Sequence, residues 1–303
     1  GVAQDAKRPS VLSLAVFHIF RGIGTVYAIT SVCRRKFCRL ASSLGKGENG
    51  VKVDQTKCIG CGRCRAYCTM GAIGFTAAGR GRVCAEVDQY ECVDCGVCFR
   101  AGVCPVDALY EPLPEWPRSV RGTFSNPLVE HKETRIPGRG TEEMKTNDVT
   151  GRFKWGEAGM AVEMGRPGTG ARFRDIEKVA MAIAALGNIT FEPKNPITGL
   201  MADKSTGRMN PEVLDEKVLS AIIEMTVPLN RIPNIIGAVR RVTREISTVC
   251  SFDLTCKVHP GNTREEMLPA FELARQAGVQ MTINGKTNIG LGKPLYVETE
   301  GAK

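Results

Sequence analysis

Cys58-Ile59-Gly60-Cys61-Gly62-Arg63-Cys64-Arg65-Ala66-Tyr67-Cys68 and, further along, Cys92-Val93-Asp94-Cys95-Gly96-Val97-Cys98 with Cys104-Pro105 behind it decide how this chain is read. Eight of its thirteen cysteines stand in these two runs. Three thiolates spaced by two residues wrap three irons of a cubane, and a fourth comes from elsewhere, so the spacing points to [4Fe–4S] clusters. Paired CxxC units also hold zinc. A third and fourth cysteine following at two and three residues is not the usual zinc pattern. Gly60, Gly62 and Gly96 fall inside the loops, where small residues let backbone N–H groups approach the sulfides. Clusters of this kind carry single electrons.

The runs resemble those of two-cluster, bacterial-type ferredoxins, in which the fourth cysteine of each run crosses to the other cluster. That resemblance implies one [4Fe–4S] cluster on Cys58, Cys61, Cys64 and Cys104, and another on Cys92, Cys95, Cys98 and Cys68. Two departures stand out. Five residues, Phe99 to Val103, separate Cys98 from Cys104 where three are usual, so the loop bulges or Cys104 enters from another direction. Thr69 stands where a proline is expected after Cys68.

The 303 residues have room for two or three domains, and an apolar content of 43% allows sizeable cores. The net charge of +9 is uneven. Residues 1–50 hold eight Lys/Arg against Asp5 and Glu48, or +6; residues 51–112 balance, and the remainder carries +3. A basic chain suits nucleic acid, but no helix-turn-helix, RNA-binding signature or aromatic-interleaved basic stripe occurs, so no nucleic-acid partner is expected. Acidic protein partners suit the charge better. Exposed cubanes and the spare thiols Cys33, Cys38, Cys84, Cys250 and Cys256 favour a reducing, cytoplasmic compartment.

Val11–Thr30 is apolar but broken by His18 and Arg21, too short a run to span a bilayer, which takes about 18 apolar residues. Its basic flank (Arg34, Arg35, Lys36, Arg39) follows the apolar part, the reverse of a secretory signal. A helix packed on the protein or a partner is expected within residues 1–50, with membrane-surface contact through residues 11–39 as the alternative.

The expected fold class is α+β: a two-[4Fe–4S] ferredoxin domain over residues 51–111, then a ferredoxin-like βαββαβ sandwich. In the first, Val51–Asp54, Ile73–Thr76, Cys84–Asp88 and Ala108–Glu111 read as short strands around the cysteine loops. Residues 112–158, rich in Pro, Gly and charge and without a period, read as a linker too long to be a plain connection. Residues 159–303 form the α+β domain. Strands are expected at Met160–Met164, Ile189–Glu192, Val218–Val227 and Val249–Val258. Helices carry Ile176, Val179, Ala180 and Ile183, and Ile235, Val239, Val242 and Ile246, at helical spacing. Two such units fit a split βαβ sandwich. Cys250 and Cys256 share a strand face with Phe252, Leu254 and Val258 and read as core. Cys84 reads likewise. A final helix opens at the capping box Thr263–Glu266, and Val279–Ile283 alternates as a strand.

Beyond the cysteines, Met164–Arg172 is a strand exit rich in glycine and arginine that could present N–H groups and guanidinium to a carboxylate or phosphate. It reads equally as an ordinary turn. Lys145, Thr146, Asn147, Asp148 and Arg152 form a second polar cluster. The run Gly140-Thr141-Glu142-Glu143-Met144-Lys145-Thr146-Asn147-Asp148-Val149-Thr150-Gly151, placed behind the cysteine runs, resembles the anaerobic 6-hydroxynicotinate reductases, and the resemblance extends from about Val51 to about Gly290. It implies reduction of an electron-poor pyridine ring with reduced ferredoxin as donor and a flavin acting beside the clusters. Three readings stand. The chain is an electron-transfer protein or subunit of an anaerobic oxidoreductase complex. Alternatively, it is itself a reductase holding an anionic substrate with Lys145, Asn147 and Arg166. In the third it is a scaffold subunit of a redox complex. The first expects other redox subunits, or a ferredoxin or flavoprotein donor, as partners, with flavin in this chain or a partner.

Overall fold

The computed structural model describes residues 10–19, 50–79, 81–140, 154–166, 168–258 and 263–279. Its largest sheet is built from Glu157–Met164 (β6), Thr190–Phe191 (β8), Ala221–Pro228 (β12) and Cys250–Val258 (β13). Phe173–Ala184 (α3) joins the first pair and Ile232–Val242 (α5) the second. The strand order is β13-β6-β12-β8 with every neighbour antiparallel, so each helix carries the chain past one strand before it rejoins the sheet. The sequence dictates this by parity. Met160, Val162 and Met164 of β6, Ile223, Met225 and Val227 of β12, and Cys250, Phe252, Leu254 and Cys256 of β13 all point to one face, where they are buried. Phe173, Ile176, Val179, Ala180 and Ile183 of α3 and Ile232, Ile235, Ile236 and Val239 of α5 recur at three- and four-residue spacing and cover that face. Thr263–Gln276 (α6) packs beside α5 and ends at Gly278 with φ 75°.

The unit that carries the cysteine runs is small. Lys52–Val53 (β2) pairs with Leu109–Tyr110 (β5), and Ile73–Ala78 (β3) pairs with Arg82–Val87 (β4). The outer strands of the two repeats thus pair together, as do the inner ones. Its core is Val51, Ile73, Cys84, Ala85, Val87, Ala108 and Leu109 together with cysteines of both runs. The chain as a whole is of the mixed α+β kind.

Three sequence expectations differ from what the structure holds. Ser10–Ile19 (β1) is a strand, not a helix, and adds antiparallel to the free edge of β13, with a bulge between Leu14 and Val16. Its β-branched and aromatic residues satisfy their backbone groups on an edge that would otherwise be unpaired. The expected linker, residues 112–158, contains Ser119–Ser125 (α2), whose Val120 and Phe124 enter the core of the large sheet. Seven residues are too few for a helical period to be legible. The strand expected at Val218–Val227 is broken: Lys217–Val218 (β11) pairs with Ala171–Arg172 (β7), and β12 starts only at Ala221. Cys33, Cys38 and the strand expected at Val279–Ile283 lie wholly or mostly outside the described residues. Among the described residues, no helix is long and apolar enough to cross a membrane.

Candidate metal centre

Each cysteine run is launched by the same local device. Asp54 and Asp88 stand four residues before Cys58 and Cys92, at the ends of β2 and β4. The Asp54 carboxylate accepts from the amide of Thr56 at 2.9 Å, and that of Asp88 from the amide of Tyr90 at 2.9 Å. Their carbonyls accept from the amides of Cys58 and Cys92, both at 2.9 Å. These Asx-type turns bend the chain from strand into loop. The loops close alike. Ala72 N–H donates to Cys68 Sγ at 3.1 Å, and Ala108 N–H to Cys104 Sγ at 3.2 Å. In the pairing of β2 with β5, Asp54 N–H reaches Ala108 O at 2.7 Å; in that of β3 with β4, Asp88 N–H reaches Ala72 O at 2.8 Å. The strand pairing therefore sets Ala108, four residues after Cys104, beside the start of the first run, and Ala72, four after Cys68, beside the start of the second.

The outcome is visible in the neighbours of each thiol. Cys58, Cys61, Cys64 and Cys104 line a single recess, with Val53, Ile59, Ala85, Val106, Ala108 and Leu109 as its apolar wall. Burial pushes the Cys64 thiol up, and Cys58, Cys61 and Cys104 add to the rise. Burial likewise pushes Cys98 up to about 11, with Cys95, Cys68 and then Cys64 adding to the rise. Cys92 is raised further, by burial and then by Asp94. Backbone N–H groups aimed at sulfur favour thiolate, and metal displaces the thiol proton outright.

This donor set fits a cubane. Cysteine sulfurs line an apolar recess, and amides of Ala72, Ala85 and Ala108 point at sulfur. Among the described residues, no three of His, Cys, Asp and Glu converge to share a single ion. Described cysteines are all free thiols. Gly60 permits the tight first loop: with φ 66°, a Cβ there would lie 2.2 Å from the Val83 carbonyl oxygen.

Both departures in the runs are absorbed. The two extra residues before Cys104 are taken up by the single helical turn Val97–Arg100 (α1) and by Gly102 at φ 60°, where the first run has only the 3-10 turn Arg63–Tyr67. Thr69, in the place of the expected proline, sets its hydroxyl 4.0 Å from Cys95 Sγ. Cys84, buried beside the first loop, directs its thiol to the Cys58 carbonyl at 3.5 Å and serves as core.

The expected substrate residues are less fully placed. Lys145 and Asn147 lie outside the described residues. Arg166 is exposed on the glycine-rich turn after β6. That turn abuts the segment following Cys68: a Cβ on Gly168 would sit 3.9 Å from Thr69 O, and one on Gly170 2.8 Å from Met70 Cε. Nearby Arg139 pairs with Glu163 at 2.8 Å.

Sequence reasoning missed the groups that fasten the second run. Arg118 and Arg121 of the supposed linker reach the carbonyls of Gln89 and Cys92. Glu91 pairs with Lys217 and Arg172. Burial alone would raise the Glu91 carboxyl, but Lys217 and Arg172 hold it below its usual range. Arg172 also stacks over the Tyr90 ring at 3.4 Å. The repeat Val53-Asp54-Gln55-x-x-Cys58 and Val87-Asp88-Gln89-x-x-Cys92 was the available signal for the launching aspartates; nothing local marks the arginines.

Residues 51–74 match the protein family described as 4Fe-4S binding domain. No curated protein matches the chain. The chain thus carries a ferredoxin-type 4Fe-4S binding module, and with it an iron–sulfur electron-transfer role.

Proposed function

We propose that this chain is an electron-transfer protein or subunit of an anaerobic oxidoreductase complex, relaying single electrons through two [4Fe–4S] clusters. Cys58, Cys61, Cys64 and Cys104 hold the first, and Cys92, Cys95, Cys98 and Cys68 the second. The observation that carries this reading is the recess shared by Cys104 with the three cysteines of the other run. When bound, the clusters supply reversible one-electron storage; the protein holds them in place and governs access. Cys61, Arg63 and Arg65 are exposed, with Ile59, Tyr67 and Val83 as apolar neighbours in sequence or across the Gly60 contact. The start of the second run, at Glu91 and Cys92, is held by Arg121 of α2, Arg172 and Lys217. With both clusters bound, Arg63 and Arg65 would receive an acidic ferredoxin or flavoprotein donor beside the first, and the second would pass electrons inward. Anaerobically prepared protein should contain about eight irons and eight acid-labile sulfides, from the ligand count. Cys104→Ser should perturb the cluster held by Cys58, Cys61 and Cys64. Zinc without labile sulfide would sink the reading, and loss of only the other cluster would sink the crossover.

A second reading, a ferredoxin-dependent reductase of a heteroaromatic acid resembling 6-hydroxynicotinate reductase, is favoured by one observation. The turn bearing Arg166 touches Thr69 and Met70, just beyond Cys68. An anion held there by Arg166 would lie beside the second cluster. Binding of 6-hydroxynicotinate by the isolated chain, abolished in Arg166→Ala, separates this reading from the first.

A further inference from the structure

The two runs differ in charge at the position just before their second cysteine. Gly60 precedes Cys61, and Asp94 precedes Cys95; both have left-handed backbone, φ 66° and 52°. Glycine adopts that conformation freely, whereas a side chain there carries a cost. Asp94 is also 3% exposed, and its Oδ1 lies 3.3 Å from Cys92 Sγ. Arg118 grips the carboxylate with parallel bonds, Nε to Oδ2 and Nη2 to Oδ1, each 2.9 Å. Its Nη1 donates to Gln89 O at 3.1 Å. Arg121 donates to the Gln89 and Cys92 carbonyls at 2.8 and 2.6 Å and pairs with Glu216. Both arginines are 4% exposed. Gly50 seals the pair: a Cβ there would fall 2.2 Å from both Arg118 Nη2 and Asp94 Oδ1. A buried ion pair is a poor source of stability, and a left-handed aspartate a worse one. The first loop has glycine in the place of this carboxylate.

We infer that Asp94, gripped by Arg118, is a positioning residue that fixes the charge beside the Cys92 thiolate and gives the second cluster a reduction potential of its own. The inference rests on the two-cluster reading. Reduction brings one electron from the donor carrier and adds one negative charge to the cluster, with no bond made or broken. A carboxylate beside a ligand sulfur opposes that charge, and a guanidinium favours it; in a buried site neither is screened as it would be in water.

The test is an anaerobic redox titration, followed by electron paramagnetic resonance, on the full chain with its iron counted. Asn tolerates left-handed backbone as Asp does, so Asp94→Asn should fold and load normally. It should raise the reduction equilibrium of one cluster about tenfold, or 59 mV for one electron, and leave the other unmoved. Arg118→Met should shift the same cluster downward, and the double variant should return toward the wild type, a pattern that mere loosening would not give. Eight irons with neither potential moved in Asp94→Asn, or both moved equally, would overturn the inference alone. Four irons per wild-type chain would overturn the two-cluster reading and the inference with it.

Discussion

Cys250 and Cys256 show how two thiols of one chain can be kept out of its metal chemistry. Both sit on the helix-covered face of β13 among Phe252 and Leu254, far in sequence from either run. Burial pushes each thiol up to about 12, with Asp175 adding to the rise at Cys250. A thiol so raised stays protonated and packs as a small apolar group. Cys250→Ala and Cys256→Ala should leave iron per chain unchanged while each costs about 1–3 kcal/mol of stability. The pH dependence has a definite sign. The folded values exceed the ordinary thiol value of 9.0, so this contribution is complete below pH 9 and is lost as pH climbs toward 12. Melting temperatures should fall along that alkaline limb, and fall less steeply in the alanine variants. A drop in iron content would show instead that the pair ligates metal.

At the level of elements, α2 matters out of proportion to its seven residues. One side places Val120 and Phe124 in the large core; the other sends Arg121 to the second cysteine run, with Arg118 at its N-cap doing the same. His131 packs edge-on against Phe124 at 4.5 Å and donates Nε2–H to Gly138 O at 2.7 Å, fixing the segment that leads away. Phe124→Ala should cost about 3–5 kcal/mol. Burial holds the His131 imidazole below its usual 6.5, so stability from the neutral ring is present above that pH and lost as pH falls through the lower folded value. His131→Gln, which keeps a donor for Gly138, should flatten the acid limb of a stability profile while changing neutral stability by about 1 kcal/mol or less. An unchanged acid limb would assign that limb to carboxylates such as Glu91. None of this was legible beforehand. Long periodic elements such as α3, α5 and β13 announce themselves, because a repeated apolar face can be read without a partner. The cysteine runs do the same, because cluster chemistry fixes the spacing. A seven-residue helix, an edge strand such as β1 and a buried Arg118–Asp94 pair owe their form to groups distant in sequence, which no local pattern encodes.

Over the whole molecule the first cysteine run exposes Cys61, Arg63 and Arg65 to solvent, whereas Glu91 and Cys92 at the start of the second are held by Arg121, Arg172 and Lys217. Replacing Arg63 and Arg65 together with Glu should slow reduction by an acidic donor and weaken the dependence of that rate on salt. Stopped-flow rates with the same salt dependence in variant and wild type would put the donor elsewhere. The strand pairing has its own consequence for how such a protein is inherited. The recognisable stretch, residues 51–74, contributes β2 and the start of β3, but the partners of both, β5 and β4, lie outside it. Severed after residue 74, that stretch would keep its signature yet possess no ladder on which to fold. The stretch that carries the family signature is thus only half of what the ladders require, so the second repeat is an obligate complement to the first, and neither could be transplanted without the other.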